Sequence, residues 1–262
     1  MQVHRARMVH PIWTKRLLKW PGSGSERAAY ILNSLFCCLL ISFLVTGCMS
    51  APANQSSSSQ LHLQSTPEAR LTYVAIGASD TFGTGTNDPA TQCWPASLTN
   101  HLGASARLIN LGIPGINAHD ALNIELPVAL DVHANLITVW LAVNDLVDNV
   151  PLASYQRDLS SVLQRLRAAN TQARIVVANV PDLTQLPRFA DSDKQALTAK
   201  INAYNAVIAT VVESQHVQLV DLYQSWRTLA DHPEYISRDG FHPNATGYAV
   251  LAEIFYAALK KT

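Results

Sequence analysis

The sequence predicts an α/β domain, a three-layer α/β/α sandwich around a central parallel sheet of five strands. Three observations predict it. Beyond residue 70, short apolar runs alternate with longer segments of helical period, the order of elements that builds parallel sheets. The runs are continuous rather than alternately polar and apolar, as strands covered on both faces are. A chain of 262 residues with 48% apolar content also has enough material for one full core.

The strands are expected at Leu71 to Ile76, Arg107 to Leu111, Leu136 to Leu141, Arg174 to Asn179 and Val217 to Asp221. Between the third and fourth, Leu152 to Ala169 spaces Leu159, Val162, Leu163 and Leu166 along one helical face. Leu197 to Val212 and Ala245 to Leu259 read as helices on the same grounds. There is no internal repeat. In such a sandwich, ligands sit at the carboxyl ends of the strands, so function is sought there.

The first 70 residues differ in character. Arg5, Arg7, Lys15, Arg16, Lys19 and Arg27 precede an apolar stretch from Ala28 to Val45, and Leu44-Val45-Thr46-Gly47-Cys48 follows. This is the layout of an export signal, and the pentapeptide resembles a bacterial lipobox, with Cys48 as the residue that takes the lipid. The competing reading is an uncleaved transmembrane helix, since 18 apolar residues sit at the lower bound for a span. Either places the body outside the cytoplasm of a bacterium; secretion is the remaining alternative. Residues 49–70, with a serine run from Ser56 to Ser59, read as a flexible tether, leaving 71–262 as the folded domain.

Charge excludes one class of function. Six of the 19 basic residues and one of the 19 acidic residues precede Cys48, so the remainder holds 13 basic and 18 acidic, net −5. A mildly acidic body offers no footprint for a phosphate backbone, and nucleic acid is set aside as a partner. Cys37 and Cys38 lie in the signal, which leaves Cys93 alone in the body, unable to form an internal disulfide and read as a small buried side chain. His101, His119, His133, His216 and His232 lack metal-ligand spacing.

Four strand ends or loops carry chemistry. The first strand runs into Gly77-Ala78-Ser79-Asp80-Thr81-Phe82-Gly83, which exposes a serine hydroxyl where a ligand would sit, although a serine there also suits a helix cap. Asp239-Gly240-Phe241-His242 precedes the last helix. A serine becomes nucleophilic when an imidazole takes its proton and a carboxylate orients that imidazole, so Asp239 and His242 suit Ser79; an Asx-turn with a surface histidine is the plain alternative. Gly115 and Asn144, after the second and third strands, offer an amide without a Cβ in the way and a side-chain amide, both donors for an oxyanion; a turn glycine and a helix cap are the plain readings.

Together these blocks resemble the SGNH, or GDSL-type, hydrolase family, over nearly the whole body. The resemblance implies a flavodoxin-like fold and hydrolysis of acyl esters without metal or organic cofactor. It makes Ser79 the nucleophile, Asp239 and His242 the terminal pair, and Ser79, Gly115 and Asn144 the oxyanion hole. Two positions depart from it. Ala78 stands where an aspartate is usual, with Asp80 as a compensating carboxylate whose side chain is expected to point elsewhere, and Ala142 replaces a glycine, adding a methyl that narrows the pocket. The segment Asn179 to Pro187 is either a wall of the acyl or alcohol pocket or a proline-stiffened connection. The expected activity is that of a monomeric serine ester hydrolase on a small-molecule or polysaccharide ester. Transfer of the acyl group to envelope carbohydrate and an inactive tethered binding module are the alternatives.

Overall fold

The computed structural model describes residues 71–225 and 231–261. The signal, Cys48 and the whole tether fall outside the described residues, as does the alternative transmembrane segment.

The chain enters at β1 (Leu71–Gly77) and passes through α1 (Ser79–Phe82), α2 (Pro89–Gln92) and α3 (Trp94–Leu102) to β2 (Ala106–Asn110). Two short helices, α4 (Ala118–Asn123) and α5 (Glu125–Leu130), lead to β3 (Leu136–Trp140) and α6 (Val143–Val147). Then come α7 (Leu152–Ala169), β4 (Arg174–Ala178), α8 (Lys194–Ser214), β5 (Gln218–Val220) and α9 (Leu222–Ser225), and α10 (Ala245–Lys260) closes the domain. Side-chain caps fix three of these starts. Asn117 and Asp120 form a reciprocal capping box on α4, Asp193 accepts from the Ala196 amide at α8, and Asn244 accepts from the Thr246 and Gly247 amides at α10.

All strand pairs are parallel, in the order β2-β1-β3-β4-β5. The two edges differ from expectation. β1, β3 and β4 are almost wholly buried, but β2 is half-exposed along its length and β5 is only three residues long. Both are edge strands, paired on one side alone, and their residues are less covered than those of the interior strands.

The order places β1 between β2 and β3. The chain leaves β1 toward one side, through α3, and returns to β3 on the other, so the loops after β1 and β3 diverge and leave a crevice between them. Helices α3 and α10 pack together on one face of the sheet, and α4, α5, α7 and α8 on the other. The first layer is joined by aromatic rings: Trp94 of α3 stacks on Phe255 of α10 at 4.0 Å, and Trp140, at the end of β3, meets Trp94 edge-on at 6.3 Å. Trp94 and Phe255 are fully buried. Such contacts add to the burial of two large side chains and fix how α10 sits against the ends of the central strands.

Candidate active site

Ser79 is the first residue of α1. The helix is capped at Ala78 without a side-chain bond, so the Ser79 hydroxyl is not spent as a cap. It lies instead 2.9 Å from His242 Nε2, and it is only 8% exposed. Beneath it the backbone is tightly packed. A Cβ on Gly77 would overlap the Thr81 side chain and the Trp140 carbonyl, so no larger residue lets the chain turn here.

Asp239 and His242 come from a closed turn ahead of α10. Ile236 and Pro243 form an antiparallel bridge, the Ser237 amide donates to the His242 carbonyl at 2.8 Å, and the Asn244 amide donates to the Tyr235 carbonyl at 2.8 Å. Inside this turn Asp239 uses each oxygen differently. Oδ1 accepts from the Phe241 and His242 amides and the Ser237 hydroxyl, at 2.8, 2.9 and 2.8 Å, while Oδ2 lies 2.6 Å from His242 Nδ1. The Asx-turn and the carboxylate–imidazole pair, alternatives in the sequence, are present together. Partial burial works against ionisation of Asp239, but the hydrogen bonds from His242, the two amides and Ser237 outweigh it and hold the carboxyl at about 2.

The loops that carry Gly115 and Asn144 are joined to one another. Asn144 lies inside α6 rather than capping it; its amide donates to the Ile116 carbonyl at 2.6 Å, which leaves the second N–H of the same nitrogen for another acceptor. Gly115 is tied to Asn144 through that bond to its neighbour. Its φ of +85° requires the left-handed backbone of a turn, and a Cβ there would meet open space, so the glycine is set by conformation and not by crowding. Asp145 fastens the same loop from below: Oδ2 accepts from the Ala118 amide at 3.0 Å, and burial pushes this carboxyl up to about 6.

Two site features had no motif to mark them. Glu125, at the start of α5, is 1% exposed and accepts from the Gly77 amide at 3.2 Å, two residues before Ser79. Burial pushes it up to about 8. Asp80 borders a narrow, almost wholly apolar slot together with Trp140, Val143, Pro181, Leu183, Leu186 and Phe241. Its carboxyl is pushed up to about 6 by burial, with His242 drawing it down and Asp239 pushing it up. Pro181, Leu183 and Leu186 of the Asn179 to Pro187 segment form one side of this slot. Residue 78 contributes no side chain to the relay, and Val143, not Ala142, borders the slot. Cys93 is buried, and among the described residues no group of histidine, cysteine and acidic side chains is arranged to hold a metal ion.

A flavodoxin-like sandwich that brings a serine, its histidine and that histidine's aspartate together at the carboxyl ends of parallel strands defines a class, the GDSL-type hydrolases. The chain belongs to the GDSL-like lipase/acylhydrolase family, whose profile matches residues 75–250. Among solved structures it is similar to TesA, with a TM-score of 0.60 and 23% identity over 72% of this chain and 98% of that one. The esterase EstA from Pseudoalteromonas sp. gives a TM-score of 0.59 and 17% identity over 73% and 97%. An acetyl-xylooligosaccharide esterase from Geobacillus gives a TM-score of 0.59 and 17% identity over 74% and 96%. YpmR of Bacillus subtilis (strain 168) is 21% identical over 108 residues, 41% of this chain and 41% of that protein, so the match covers less than half of that relative.

Proposed function

We propose that the domain hydrolyses carboxylic esters through an acyl-enzyme on Ser79. The observation that carries this reading is the unbroken relay from Asp239 through His242 to Ser79, at 2.6 and 2.9 Å. In it, Asp239 fixes the tautomer with the proton on Nδ1, so Nε2 is free to take the hydroxyl proton as Ser79 attacks the ester carbonyl. The Ser79 and Gly115 amides and the Asn144 side chain hold the oxyanion. His242 then protonates the departing alcohol, and a water activated by the same imidazole releases the acid. Membership of an acylhydrolase family supports the reaction class. The same reading holds the domain outside the cytoplasm on a lipid at Cys48.

The test is Ser79→Ala assayed on a short-chain aryl ester. Turnover is expected to fall by at least several powers of ten. Esterase activity at the wild-type level in this variant would overturn the assignment.

A further inference from the structure

Glu125 is buried, yet among the described residues its carboxyl makes a single hydrogen bond, from the Gly77 amide to Oε1 at 3.2 Å. Oε2 has no partner among them. A buried polar atom left in this way weakens a fold, and an apolar side chain of like size carries no such penalty. What the residue contributes is therefore sought in its one bond.

That bond holds the turn that bears the nucleophile. Gly77 ends β1, where the chain leaves the sheet to begin α1 with Ser79. The Gly77 carbonyl accepts from the Ile113 amide at 3.0 Å, the Ala78 carbonyl from the Phe82 amide at 2.9 Å, and the Ser79 carbonyl from the Gly83 and Thr84 amides at 3.0 and 2.9 Å. Among the described residues, Glu125 is the one side chain that bonds to the backbone of residues 77–79. Its bond is thus the one that a substitution can cut.

From Glu125 the chain runs back to the loops of the two other oxyanion candidates. Ile124 alone separates α5 from α4, which starts at the Asn117–Asp120 capping box. At that start the Ala118 amide donates to Asp145 Oδ2 at 3.0 Å, next to Asn144, and the Asn144 amide donates to the Ile116 carbonyl, next to Gly115. One short, capped run, residues 117–125, therefore ties the Gly115 and Asn144 loops to the Ser79 turn. On the esterase reading these three supply the donors of one oxyanion hole, and their mutual placement decides how well the charge is held.

Resting on that reading, we infer that Glu125 is a positioning residue, which through the Gly77 amide keeps the Ser79 turn in place against the loops that carry Gly115 and Asn144. The carboxyl acts through the Gly77 peptide and not on the ester.

The experiment compares wild type, Glu125→Gln, Glu125→Met, Glu125→Ala and Ser79→Ala on a short-chain aryl ester at pH 7. For the Glu125 variants kcat is expressed per active site, titrated to completion with a fluorophosphonate, so unfolded chains do not count. Methionine removes the acceptor and keeps the bulk. It is expected to lower kcat by about 10- to 100-fold with KM within about twofold, since a misaimed donor is felt in the transition state and not in substrate binding. The Ki of an aryl trifluoromethyl ketone, which places an oxyanion on Ser79, should rise by the factor by which kcat/KM falls. Glutamine accepts from the amide as the carboxyl does and is expected to stay within about threefold of wild type. Glu125→Ala carries the test if methionine is not accepted, and a folded variant that takes up no probe counts as loss of kcat. Wild-type kcat per site without the acceptor, an equal loss in Glu125→Gln, or a loss confined to KM would overturn the inference while leaving the esterase reading intact. So would unfolded circular dichroism spectra for both Glu125→Met and Glu125→Ala, which would make Glu125 a residue of the core alone. Undiminished activity in Ser79→Ala would instead bring down that reading and this inference with it.

Discussion

Replacing Glu125 by glutamine should remove a pH dependence from the stability of the domain. The carboxyl titrates at about 8 in the folded chain against 4.5 as its ordinary value, because burial disfavours the charge more than the Gly77 amide favours it. A carboxyl raised in this way stabilises the fold fully below 4.5, and the contribution is lost as pH climbs toward 8. Within that interval the folded chain holds a proton that the unfolded chain has released, and each pH unit costs the folded state up to about 1.4 kcal/mol. Asp80 and Asp145 also rise, but only to about 6, so most of their loss is complete before neutrality. Between pH 6.5 and 7.5, Glu125 should therefore account for about 1 kcal/mol of lost stability. Glutamine can still accept from the Gly77 amide but has no proton to lose. Urea unfolding at constant ionic strength, extrapolated to water at pH 6.5, 7.0, 7.5 and 9, reads the difference directly. Parallel stability curves for wild type and Glu125→Gln across that range would refute the reasoning, because they would mean that Glu125 ionises in the folded chain as easily as in the unfolded one.

Two further substitutions follow from the same geometry. Asp239→Asn presents an amide where His242 Nδ1 needs an acceptor, so kcat on an aryl ester should fall by about 10³ to 10⁴. Its stability should also lose less as pH drops from 4 to 2, since a carboxyl held at about 2 stabilises the fold above its ordinary value and gives up that contribution only on acidification toward 2; acid titration followed by circular dichroism checks this. Phe255→Ala opens the stack between α10, Trp94 and Trp140 and should cost about 3–5 kcal/mol in urea unfolding.

The parts legible in the sequence share one property: their meaning is local. A buried parallel strand is a continuous apolar run wherever it sits in the sheet, and Asp239 and His242 reach one another across a three-residue turn. Asn144 and Gly115 could be picked out because each stands just past such a run. What stayed hidden depends on elements crossing in space. Glu125 opens a short helix in a stretch broken at Ile124, too short to show a period, and its partner Gly77 lies 48 residues earlier. That Asp80 lies beside Pro181, Leu183 and Leu186 follows from the 180s segment folding over the end of β3, which no spacing reveals. The half-exposure of β2 follows from strand order, and an apolar run does not state its neighbours. Ala78 and Ala142, the two departures from the family pattern, turned out to lie outside the relay and the slot lining.

The relay joins positions 163 residues apart, and its two halves belong to opposite ends of the domain. Ser79 follows the first strand to be synthesised, and His242 precedes the last helix. A nascent chain therefore carries an unarmed hydroxyl for nearly the whole of its translation, because the base arrives only with the turn that α10 holds against Trp94. On the proposed mechanism, appearance of activity dates the docking of this helix.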